Sequence, residues 1–120
     1  MNNEYRKGYV YVQELFAGII EETEIGYRFT YDTNYLNNIS AKSISLTMPL
    51  SKNPYESTVL FPFFDGLIPE GWLLNVVVKN WKLQYTDRFG LLLVACKDCI
   101  GDVSIKNEVM LWNVYTVEKI

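Results

Sequence analysis

The chain contains no histidine. That absence removes histidine-assisted serine and cysteine nucleophiles, imidazole general-base chemistry and every histidine-bearing zinc site. Cysteine is nearly as scarce: Cys96 and Cys99 flank Lys97 and Asp98 in a C-x-x-C spacing. Two cysteines cannot build a disulfide scaffold, and zinc would need two further ligands of a kind the chain lacks. A redox role needs the pair at a helix N-terminus, where a thiolate is stabilised. Here it follows a helix-forming stretch, so two partly buried free thiols are expected. Long apolar runs are missing too: nothing approaches the roughly 18 residues of a membrane span, and the opening MNNEYRKG is too polar for a secretory leader. The expected location is a reducing cytoplasm. Nor is there a surplus of positive charge. Lys and Arg total 11 against 14 Asp and Glu, a net charge of −3, which disfavours direct binding of nucleic acid or anionic membrane. No G-x-S-x-G, P-loop or dinucleotide fingerprint occurs.

What is present is one domain's worth of chain, 120 residues, 49% hydrophobic and 21% charged, the composition of a globular protein. Aromatic residues make up 15%, with three Trp, nine Tyr and six Phe. That load can serve a core and also supply anchors for a protein interface.

Apolar periodicity divides the chain into two halves. Tyr9 to Val12 and Leu15 to Ile20 read as a hairpin around Gln13-Glu14, and Tyr27, Phe29 and Tyr31 alternate with polar residues as a third strand. Ile44, Leu46 and Met48 alternate with Ser45 and Thr47, a fourth strand stopped by Pro49. Residues 51–57 read as loop. Pro69 then suits the first position of a helix running to about Lys82. Thr86 reads as the N-cap of a second helix, with Asp87 in its first turn and Gly101 past its end. Val103 to Ile105 and Val109 to Val117 close the chain as strands. The expected class is α+β: a small, mostly antiparallel sheet or partial barrel with two main helices, a single domain over 1–120 with a strand-like tail at 106–120.

On the first of these helices, Gly71, Asn75, Lys79 and Lys82 share one polar sector, and apolar residues fill an arc of about 240°, wider than a surface helix needs. Such a helix either sits centrally, the favoured expectation, or shows a flank to another chain. Trp81 lies well inside the arc and is expected in the core. Trp72 lies at its edge, just after Pro69-Glu70-Gly71, and is the better candidate for an exposed anchor. Asp65 and Glu70 could be imagined as an acid/base pair, but a capping or solvated role suits two loop carboxylates better. Phe63-Phe64-Asp65-Gly66 is not the metal-binding Asp-Phe-Gly of kinases: the order differs, and a phosphate-covering glycine loop is absent.

The stretch Phe63-Phe64-Asp65-Gly66-Leu67-Ile68-Pro69-Glu70-Gly71 resembles the F-F-D-G-L-L-P-E-G signature of the N-terminal subdomain of HipA-type serine/threonine kinases. The resemblance extends over most of the chain. Tyr9 to Ile20 is similar to the family's opening hairpin, Tyr27 to Asp32 to its F-x-Y-D strand end, and Ile44 to Leu50 to its S-L-S-L-P-L segment. Asp87 to Ile105 is similar to its D-P-F…D-C-x-G stretch. Arg88 stands there for the usual Pro, Cys96 for Gly and Asp102 for Ala. A chain of this length has no room for the kinase core, and a free-standing copy of the subdomain resembles the HipS antitoxins of tripartite HipBST systems. The resemblance implies a non-enzymatic protein without cofactor or metal. Such a protein neutralises a HipT-like kinase toxin by occluding or locking its active site, and meets a HipB-like DNA-binding protein only through the kinase. The alternative is the structural N-terminal part of a longer HipA-type kinase. The expected partner-binding residues are Trp72, as the inserted anchor, with Phe64, Asp65, Glu70 and Gly71 around it.

Overall fold

The computed structural model describes residues 5–70, 72–82, 84, 86–95 and 102–106, without the side chains of Trp72, Leu73, Val77, Trp81 and Ala95. In chain order its elements are β1 (Lys7–Val12), β2 (Leu15–Glu22), β3 (Tyr27–Tyr31), α1 (Thr33–Leu36), β4 (Tyr55–Ser57), α2 (Pro62–Asp65), α3 (Trp72–Trp81), α4 (Arg88–Ala95) and β5 (Val103–Lys106). The strands form one sheet in the order β4-β3-β2-β1-β5, every pair antiparallel. The α+β class is as expected, with an open sheet among the described strands rather than a partial barrel.

The hairpin forms where the sequence places it. Gln13 and Glu14 take positive φ values of 50° and 70°, the hand of turn that matches strand twist. Val10 faces Gly18 while Tyr11 faces Phe16, so Ala17 is the extra residue of a bulge. The Ala17 carbonyl accepts the Asp32 N–H at 2.7 Å, tying the end of β3 to the bulge. Asp32 then caps α1 by accepting the Tyr35 N–H at 3.2 Å.

Alternation puts Val10, Ile20, Phe29, Tyr31, Val103 and Ile105 on one buried sheet face. Phe64 of α2 and Phe89, Leu91 and Leu92 of α4 complete the core. Burial of these apolar surfaces is the main stabilising term. Phe29 sits at its centre, its ring 4.8 Å from Tyr31 and 5.6 Å from Phe64. On the opposite sheet face Phe16 packs against Tyr11 and Tyr9, with ring centroids 5.6 and 6.2 Å apart.

Four expectations are corrected. Ile44 to Met48 is not a strand: Ile44 and Met48 are buried, but Leu46 between them is 97% exposed, at the apex of a turn closed by Met48 N–H to the Ser45 carbonyl. Alternation in sequence had no neighbouring strand to pair with, and the edge is taken by Tyr55–Ser57 from the expected loop. Helix α3 starts at Trp72, and Pro69 lies ahead of it; the proline that opens a helix is Pro62 of α2. The side chain that caps α4 belongs to Asp87, not Thr86: its Oδ1 accepts the Gly90 N–H at 3.1 Å. Finally, none of the described side chains of α3 is buried, as a central helix would require. Leu74 and Val78 are half-buried against the core, Val76 is 39% exposed, and Asn75, Lys79 and Lys82 face outward. The expected core place of Trp81, the exposure of Trp72, the thiols Cys96 and Cys99, the helix stop at Gly101 and the strand 109–117 all lie outside the described residues.

Candidate functional site

The signature stretch folds as a tight passage from α2 into α3. Pro62 opens α2, where its missing N–H costs nothing. Successive short-range hydrogen bonds then wind the backbone: Asp65 N–H to the Phe61 carbonyl at 2.9 Å, Gly66 to Pro62 at 2.9 Å, Leu67 to Phe64 at 3.0 Å and Ile68 to Asp65 at 3.2 Å. Two apolar pegs fix this passage, Phe64 at 0% exposure and Ile68 at 3%. Phe64 makes edge-on contacts with Phe61 and Phe63.

Phe64 is therefore a core residue. A ring without exposed surface cannot meet a partner unless the domain opens, which corrects its expected place in the contact; it supports the loop from beneath. Asp65 does reach the surface. Its Oδ1 lies 2.8 Å from Nε of Arg88, with the two side chains 44% and 33% exposed. Arg88 thereby fastens the loop to the start of helix α4. Sequence reading missed that pairing because 23 positions separate the partners. Glu70 is exposed. Gly71 lies outside the described residues, and so does the side chain of Trp72, which begins α3.

Between the end of β4 and the start of α4 lies a shallow cleft of about 460 Å³, bordered by Tyr27, Val59, Asp65 and Arg88. The carboxylates on its rim are both committed, Asp65 to Arg88 and Asp87 to Arg6. Among the described residues no group of acidic or sulfur ligands is placed to hold a metal, and no helix is long and apolar enough to cross a membrane. Both rim carboxylates are thus held by arginines and not set against each other.

Comparison with known proteins agrees with this geometry. Residues 8–106 match the HipA N-terminal domain model. An uncharacterized protein of Haemophilus influenzae is 32% identical over 108 residues, covering 90% of this chain and 98% of that protein. A solved structure described as the N-terminal domain of HipA toxin superposes with a TM-score of 0.65 at 27% identity, over 92% of this chain and 99% of that one. The matched region is HipA's N-terminal domain and not its kinase catalytic domain. Sheet, signature loop and family match converge: this chain belongs to the HipA N-terminal domain family.

Proposed function

We propose that the chain is a HipS-like antitoxin, a binding protein that neutralises a HipT-like kinase in the cytoplasm by docking the loop Asp65 to Trp72 at the kinase active site. The observation that carries this reading is the Haemophilus influenzae relative, 98% of which is spanned by this one domain. The domain thus recurs in a chain with no room for a kinase. The rigid passage around Ile68 and the Asp65–Arg88 pair supports it, because a preordered loop loses little entropy on binding. Trp72 is the inserted anchor, and Asp65, Glu70 and Gly71 shape the contact around it. Binding to a HipB-like DNA-binding protein runs through the kinase. The whole chain, 1–120, acts as one domain, without cofactor, metal or catalytic residue.

The test is co-purification with a HipA-type kinase that lacks its own N-terminal domain, followed by a phosphorylation assay. The wild-type protein should bind and inhibit. Trp72→Ala should weaken binding by about 30-fold, the equivalent of about 2 kcal/mol at a hot spot, with an unchanged melting temperature. A variant that melts early marks Trp72 as structural, and a folded variant that inhibits fully refutes the anchor. The second reading, an N-terminal part of a longer HipA-type kinase, is favoured by the solved HipA toxin domain. Kinase sequence continuing in frame after Ile120 would establish it.

A further inference from the structure

The two most exposed large apolar side chains among the described residues are Ile39, at 100%, and Leu46, at 97%. Both lie in residues 33–55, with Leu50 at 40%. This stretch holds none of the chain's 14 carboxylates; its charges are Lys42 and Lys52, both exposed. In a chain of net charge −3 it is a locally basic stretch with exposed apolar side chains.

It is also firmly held. The Tyr35 hydroxyl donates to the Lys42 carbonyl at 2.7 Å and accepts the Lys42 N–H at 2.9 Å. The Tyr31 hydroxyl accepts the Ile44 N–H at 3.0 Å and donates to the Met48 carbonyl. The Tyr55 hydroxyl donates to the Pro49 carbonyl at 2.6 Å. Within these staples Ser45 Oγ accepts the Thr47 N–H at 3.1 Å and closes the turn that carries Leu46. A leucine held in water gains nothing for the isolated domain, whereas its burial in a complex meets almost no ordering cost.

We propose that the Leu46 turn, flanked in the chain by the exposed Lys42 and Lys52, is a second docking element, which enters an apolar socket rimmed by carboxylates on the same kinase. The inference rests on the kinase-binding reading and adds a contact to it. Tyr31 connects the two elements physically, since its ring abuts Phe29, and Phe29 abuts Phe64 beneath the signature loop. A lipid surface fits less well: two lysines fall short of the cluster of about four to eight that anionic headgroups call for.

The experiment measures affinity for the HipA-type kinase lacking its N-terminal domain, using wild type, Leu46→Ser, Leu46→Met and the pair Lys42→Glu/Lys52→Glu. Leu46→Ser should keep the wild-type melting temperature and lose about tenfold or more in affinity. Leu46→Met should retain binding. The lysine pair should slow association and flatten its salt dependence. Wild-type binding with an unchanged Leu46→Ser affinity overturns this inference and leaves the antitoxin reading standing. Absent wild-type binding overturns both. Leu46-dependent self-association in light scattering, or Leu46-dependent sedimentation with phosphatidylserine vesicles, also overturns it, by naming a different occupant.

Discussion

Arg6 and Asp87 stand 81 positions apart and meet in a two-point ion pair, Nη1 to Oδ2 at 2.9 Å and Nη2 to Oδ1 at 2.9 Å. The same guanidinium reaches Glu22 through Nε at 3.1 Å and Nη2 at 2.8 Å, and lies 5.6 Å over the Phe89 ring. One side chain thus joins the approach to β1, the end of β2 and the start of α4. Asp87 serves it while also capping α4.

This network gives the protein an acid-sensitive joint. Hydrogen bonding from Arg6 holds the carboxyls of Glu22 and Asp87 below their ordinary values of 4.5 and 3.8. A lowered folded-state value means stability that is complete above the unfolded value and lost as pH falls through the folded one. Arg6→Gln should therefore destabilise by about 1 kcal/mol near neutral pH, a modest figure because solvent screens a partly exposed pair. The gap to wild type should close as pH drops below about 4. Urea unfolding of both proteins across pH 2–7 checks it; a gap independent of pH refutes the assignment.

Gly90 and Gly66 should respond differently to alanine. A Cβ at Gly90 would press on the Asp87 carboxylate and stand 2.9 Å from Arg6 Nη1. Gly90→Ala is expected to cost up to about 1 kcal/mol, because displacing the network loses no more than removing Arg6 does and the better helix propensity of alanine offsets part of it. Gly66 has φ −69°, and its nearest obstacle to a Cβ is the Pro62 carbonyl at 3.3 Å. The isolated fold does not require glycine there, so Gly66→Ala should melt within a few degrees of wild type. Thermal denaturation of the two variants side by side is the measurement.

Tyr31→Phe should cost about 1–3 kcal/mol, because the Ile44 N–H and the Met48 carbonyl lose their shared partner. Burial pushes the Tyr31 phenol from 10.0 up to about 12. A raised value means its contribution is complete below pH 10 and lost as pH rises toward 12. The difference between wild type and variant should shrink over that range, read by urea unfolding at successive alkaline pH values.

Glu14→Gly should stabilise the domain by about 0.5–1 kcal/mol. Glu14 sits at φ 70°, a strained conformation for a residue with a Cβ and a natural one for glycine at the second turn position. A raised urea midpoint with an unchanged slope would bear this out; a lowered midpoint would show that the turn needs its side chain.

Local signals wrote much of this fold. The β-prone run Tyr9–Val12 and the alternation in Tyr27–Tyr31 suffice to set strands, because each strand's apolar face must meet a core whichever element covers it. The signature from Phe63 to Gly71 identified the family, and with it the loop. Tertiary structure decided what each residue does. It buried Phe64, which the sequence offered to a partner contact, and turned Leu46, which the sequence placed in a strand, into the exposed tip of a stapled turn. It drew three tyrosine hydroxyls onto the backbone of residues 42–49, a use of the aromatic load that no local pattern signals. It paired Arg6 with Asp87 and Arg88 with Asp65 across 81 and 23 positions. Periodicity reports only which side of an element is apolar. Where that side ends up, and which charge waits opposite, depends on contacts between segments distant in the chain, and those exist only once the chain has folded.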